Sequence, residues 1–143
     1  MNLWKKLFTS GEQDRIDYYR EGLELAKVGK FHEALTSFRL ALRDAPSDTA
    51  VLQQMAITYT RIGMTDEALR TYRSVLAKEP DASGAHYGMA FLLLSEGRAE
   101  DAAAHLRSFL SNPPTGTAAE RHIEHARQKL AEIAGEAAAG DVR

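Results

Sequence analysis

The 143 residues fit one domain, and with 44% apolar side chains the chain can bury a core. A formal net charge of −2 argues against a nucleic-acid surface, which needs a surplus of cations against phosphate. The absence of cysteine excludes disulfide frameworks, thiolate metal sites, iron–sulfur clusters and cysteine nucleophiles, and it suits a reducing, cytoplasmic compartment.

The chain opens with MNLWKKLF. Leu3, Trp4, Leu7 and Phe8 fall on one side of a short helix, with Lys5 and Lys6 toward the other. The two lysines interrupt the apolar stretch too early for a secretory signal. The longest apolar run, Gly88 to Leu94, is far short of the ~20 residues a spanning helix needs. Residues 1–10 therefore read as an N-terminal amphipathic segment. Three roles are open to it: a cap on the protein's own surface, contact with the inner face of a membrane, or self-association. SGEQ (Ser10–Gln13) has the pattern of a capping box, which would start the next helix right after Phe8. So short a connection would lay the segment back against Ile16, Tyr19 and Leu23.

From there on the sequence repeats. Gly29, Gly63 and Gly97 are 34 apart, and Ala34, Ala68 and Ala102 keep the same step, as do Pro46, Pro80 and Pro114. Phe38, Tyr72 and Leu106, and Leu42, Leu76 and Leu110, are in phase with them. Each glycine follows an amphipathic stretch and precedes a short polar turn, where the left-handed conformation closes a helix. The alanine five residues later lets two antiparallel helices approach closely. The proline ends the second helix, and Ser47 and Asp81 are the N-caps expected for the next. The unit is helix–turn–helix, taken three times: 15–48, 49–82 and 83–116.

TAAERHIEHARQKLAEIAG follows. It opens on a second capping pattern, Thr117 to Glu120, and carries one apolar stripe of Ile123, Ala126, Leu130 and Ile133. A repeat array needs a last helix that covers its end and is polar outside, so 117–135 reads as a capping helix. Residues 137–143 have nothing to bury and are expected to form a flexible tail.

The phased glycines, alanines, prolines and large residues resemble the tetratricopeptide repeat family. Small residues also stand where the first helix of each unit crosses the second: Gly22, Ala56 and Ala90. The family's tryptophan near the start of each unit is replaced by Tyr18, Leu52 and His86. The resemblance implies an all-α fold, a right-handed superhelical solenoid of three helix–turn–helix repeats. Residues 11–136 would form the repeat domain, with the capping helix behind and the short amphipathic helix in front. It also implies a concave groove lined by the first helices and filled by a peptide or a helix of a partner protein.

The groove residues can then be read directly. The first helix has a core stripe, Tyr18, Gly22 and Leu25, and a second apolar stripe, Ile16, Tyr19, Leu23 and Ala26. The third unit repeats this, with Met89, Ala90 and Leu93 facing the core and Tyr87, Phe91 and Leu94 beside them. The middle unit contributes Gln53, Ile57 and Thr60. A helix wet on one side should be polar there, so either the solenoid buries the second stripes or a ligand docks on them. Tyr19, Tyr87 and Phe91 are rigid anchors of the kind interfaces use, which favours docking. Arg20, Lys27 and Arg61 would border the groove and suit a ligand with acidic groups around its apolar anchors. Family members that grip a C-terminal carboxylate do so with lysine and asparagine, but those positions here hold Tyr19, Leu23 and Gln54.

Chemistry is not legible. GLELAKVGK fails the phosphate-loop spacing, HEALTSF lacks the second histidine of a zinc helix, and His122 with His125 offers two ligands without a closed set. No enzyme, cofactor or metal is expected. The function expected is an adaptor that binds a protein or peptide; the alternatives are a membrane-associated assembly factor and a self-associating structural protein.

Overall fold

The computed structural model describes residues 17–141, and these form seven helices with no strand. They are α1 (Tyr18–Lys27), α2 (Phe31–Asp44), α3 (Thr49–Arg61), α4 (Thr65–Lys78), α5 (Ser83–Ser95), α6 (Ala99–Ser111) and α7 (Thr117–Asp141). The expected amphipathic segment with Leu3, Trp4, Leu7 and Phe8, the Ser10–Gln13 box and Ile16 lie outside the described residues. The helices pair as α1–α2, α3–α4 and α5–α6. Each pair packs on the next, and α7 packs on α6. The first helices also touch in succession, α1 on α3 and α3 on α5. The chain is an all-α solenoid.

The turn inside each pair is the same structure three times. Gly29, Gly63 and Gly97 have φ of 83°, 79° and 74°, the left-handed region that favours glycine. The residue after each donates its N–H to the carbonyl five residues back: Lys30 to Leu25, Met64 to Tyr59 and Arg98 to Leu93, all at 2.9 Å. These bonds satisfy carbonyls that a helix end leaves open. Ala34, Ala68 and Ala102 are fully buried where the paired helices cross. In the first unit the crossing is closer still, because the Phe38 ring lies over Gly22 and occupies the space a side chain there would need.

Between units the helix starts fall one residue later than expected. α3 is capped by Asp48, not Ser47; its carboxylate accepts from the N–H of Ala50 (3.0 Å) and Val51 (3.3 Å). α5 starts after Ala82, not Asp81, and has no side-chain cap. The reason is a turn after each second helix: Asp48 N–H bonds to the Ala45 carbonyl and Ala82 N–H to that of Glu79. Pro46 and Pro80 sit second in these turns, where their fixed φ fits, so a full turn is complete before the helix begins. α1 opens on Asp17, whose side chain accepts from Arg20 N–H.

The main core runs through α1 to α6 around Phe38, Leu35, Val75 and Leu93. A second cluster joins Ala90, Leu106, Phe109 and Ala126, with Ile123, Leu130 and Ile133 of α7 packed against it. α7 does not stop near Gly135. It runs to Asp141, twice the length of the other first helices, because the residues that follow, Glu-Ala-Ala-Ala, are strong helix formers.

Candidate peptide-binding groove

A cavity of ≈ 430 Å³ opens between α3 and α5, with α4 as its floor. Ile57, Thr60 and Arg61 come from α3, Thr65 and Tyr72 from α4, and Tyr87, Gly88, Phe91, Leu92 and Ser95 from α5. Ile57 is 41% exposed here, one of two large apolar side chains left open to this degree among the described residues. The other, Val28, caps the end of α1 and is far from this wall in sequence.

Only part of the sequence-nominated set meets here. Ile57, Arg61, Tyr87 and Phe91 share the cavity. Tyr19 and Leu23 are half-buried against the main core, with the Tyr19 ring 6.1 Å from that of Phe38. The second stripe of α1 is thus covered in large part by the protein itself. Leu94 also packs on the main core. Gln53 lies against Gly84 at the start of α5 and serves the contact between units. Arg20 and Lys27 are exposed on α1 and do not line the cavity.

The cavity also has residues the sequence reading passed over. Gly88 is the informative one: a Cβ there would fall 2.5 Å from the Tyr72 ring carbon that carries the hydroxyl. Its absence lets Tyr72 of the second unit reach across to the third. A glycine inside a helix is costly and marks close approach of another group, which was the available signal. Burial pushes the Tyr72 hydroxyl up to about 12, with the neighbouring Thr60 side chain pulling the other way. It is a neutral hydroxyl at physiological pH. Thr60 and Ser95 donate to their own helix carbonyls, of Ala56 and Leu92.

The charge at the rim is Arg61, whose guanidinium stands 5.3 Å from the centre of the Phe31 ring. Among the described residues no carboxylate lines the cavity. The wall these residues form is therefore largely apolar, with one cation at its rim.

Two histidine groups frame this wall. His125 stacks on Phe91 at 4.7 Å, and its Nδ1 is 2.9 Å from the Tyr87 hydroxyl. His122 sits edge-on to Tyr87. The far sides of both anchors are thus held by α7, which fixes their rings, and burial raises the Tyr87 hydroxyl above its ordinary range. Behind them His86 Nε2 donates to the Pro80 carbonyl at 2.7 Å, since a carbonyl only accepts. His86 Nδ1 then accepts from His105 Nδ1, 3.0 Å away, when both rings are neutral. Burial, then the neighbouring His86, lowers the His105 affinity for a proton; Arg73 acts in the same sense and Asp101 against it. Among the described residues no three histidine or carboxylate groups converge as a metal site would require.

A family model, described as tetratricopeptide repeat, matches residues 63–115. A search of curated proteins by sequence found no match. Among solved structures, the Yersinia enterocolitica type III secretion chaperone SycD, in complex with a peptide of the translocator YopD, superposes with a TM-score of 0.78. It is 16% identical and covers 90% of this chain and 95% of its own. PcrH, in complex with the chaperone-binding region of PopD, gives 0.77 at 17% identity, over 87% of this chain and 94% of its own. The first repeat domain of Spaghetti (RPAP3), bound to an HSP90 peptide, gives 0.73 at 17% identity, over 85% and 90%. At these identities the likeness is one of fold. Repeat phase, turn geometry and fold agree with the family model: residues 63–115 match the tetratricopeptide repeat, and the described residues share the fold of these structures.

Proposed function

We propose that the chain is a non-catalytic adaptor that binds a short segment of another protein in the cavity between α3 and α5. The observation that carries this reading is Ile57, left 41% exposed beside Tyr87 and Phe91, whose rings are already held in place. Rigid aromatic walls lose little freedom on binding, so most of the contact energy goes to affinity. Arg61 at the rim, with no lining carboxylate among the described residues, favours a segment with an acidic residue next to its apolar anchor. SycD, PcrH and the Spaghetti domain each hold a peptide or region of a partner protein on the same fold, which supports the reading without naming the ligand.

The repeat domain would span 11–136. No helix of the described residues is long and apolar enough to cross a membrane. The test is selection of a random-peptide display library on the immobilised chain. Enriched peptides should carry an apolar residue flanked by Asp or Glu, and Ile57→Glu should abolish their binding with the helical circular dichroism unchanged. Peptides that bind Ile57→Glu as well as the parent would place the site elsewhere.

A further inference from the structure

A second hollow, of ≈ 660 Å³, lies between α6 and α7. Glu100, Ala103 and Arg107 form one wall, and Leu130, Ile133 and Ala134 contribute to the other. It arises from a difference in length. α6 has 13 residues and α7 has 25, about 20 and 37 Å of helix, so α6 runs out halfway along its neighbour. From Ala134 to Asp141 every residue of α7 is exposed. An isolated helical extension of this kind is marginal in water without a surface to meet.

We propose that a second copy of this chain fills the hollow, through an antiparallel α7–α7 contact about a two-fold axis at Ala134. The argument is the arrangement of charge and size along one stripe of α7. Arg127, Leu130, Ala134, Ala137 and Asp141 follow at spacings of 3, 4, 3 and 4, a single helical face. The face has a cation at one end and a carboxylate at the other. α6 runs antiparallel to α7 across a short link and repeats the polarity, with Arg107 toward the start of α7 and Glu100 toward its end. None of these four charges is in an ion pair among the described residues.

A face that is positive at one end and negative at the other complements itself only when turned end for end. That is the isologous pairing of a two-fold dimer, in which i meets j and j meets i. The register follows. Arg127 and Asp141 are equidistant from Ala134, so Arg127 of each copy meets Asp141 of the other and Ala134 meets its own symmetry mate. Leu130 then comes opposite Ala137 and Ala138, large against small, and the alanines let the helix axes approach to about 8 Å. A helix of some other protein would have no reason to match this register.

The chain has no cysteine, so a single introduced thiol reports the register. Under mild oxidation Ala134→Cys should form a disulfide-linked dimer, while Glu136→Cys, on the opposite side of the helix, should stay unlinked. By sedimentation velocity the full chain should run at twice its 15.8 kDa mass. Arg127→Glu and Asp141→Arg should each weaken the dimer roughly tenfold, because two symmetry-related pairs change sign together. The double variant should recover it. A 15.8 kDa monomer at every soluble concentration overturns the proposal. So does a dimer that ignores both charge reversals, or one in which Glu136→Cys links as readily as Ala134→Cys.

Discussion

The same substitution should have opposite signs at two glycines of this chain. At Gly22 an added Cβ would lie 2.5 Å from Cε1 of Phe38, 2.6 Å from Cδ1 and 3.0 Å from Cζ. Ordinary carbon contacts are about 3.5–4.0 Å, so the overlap is close to 1 Å at two ring atoms. Phe38 has no exposed surface and cannot swing out. Overpacking a core costs about 1–3 kcal/mol, and an overlap of this size belongs at the upper end. Replacing glycine by alanine inside a helix returns about 1 kcal/mol. Gly22→Ala should therefore destabilise by about 2 kcal/mol. At Gly135 the same Cβ meets nothing within 4 Å, so Gly135→Ala should stabilise by up to ~1 kcal/mol. Urea unfolding followed by circular dichroism at 222 nm measures both. A Gly22→Ala protein as stable as the Gly135→Ala one would refute the packing argument, since the ring would then have room to yield.

Three further outcomes follow from the geometry. Asp48→Ala removes the acceptor for the Ala50 and Val51 N–H groups and should cost ~1 kcal/mol in the same urea assay, whereas Ser47→Ala should be neutral within about 0.5 kcal/mol. His105 resists protonation in the folded chain but not in the unfolded one, which takes its proton near 6.5. Stability should fall as pH drops below that value and until the folded ring is also charged, so the urea midpoint should fall less between pH 7 and pH 5 in His105→Gln than in the parent. Equal falls would show that the ring titrates alike in both states. The Tyr72 hydroxyl should ionise near pH 12, provided the fold persists there. Absorbance at 295 nm should lose a step near pH 12 in Tyr72→Phe, and loss of a step near the ordinary 10 instead would mean the hydroxyl is not buried.

The groove was only partly legible because burial on a solenoid depends on neighbours, not on the helix's own pattern. Tyr19 and Tyr87 hold the same place in their units, 68 residues apart, and read alike. Tyr19 packs toward Phe38 of its own unit, while Tyr87 stands between the cavity and the histidines of α7. Ile57 shows the converse: nothing local distinguishes it, and it is open because it lines the cavity between α3 and α5. The caps slipped by one residue for a similar reason, since a turn bond formed first by Asp48 and Ala82 decides where the next helix can begin.

The repeat itself belongs to the sequence. Glycine at the left-handed turn and proline in the following turn are demanded by local backbone geometry, and alanine at the crossing by the close contact of helices adjacent in the chain, so their 34-residue phase specifies the paired helices. The relation between helices distant in the chain was decided only in three dimensions. Tyr72 under Gly88, His105 against His86 and His125 on Phe91 join residues 16, 19 and 34 apart across different helices. Such contacts depend on how far each helix turns and leans on the last, which no spacing within one helix records.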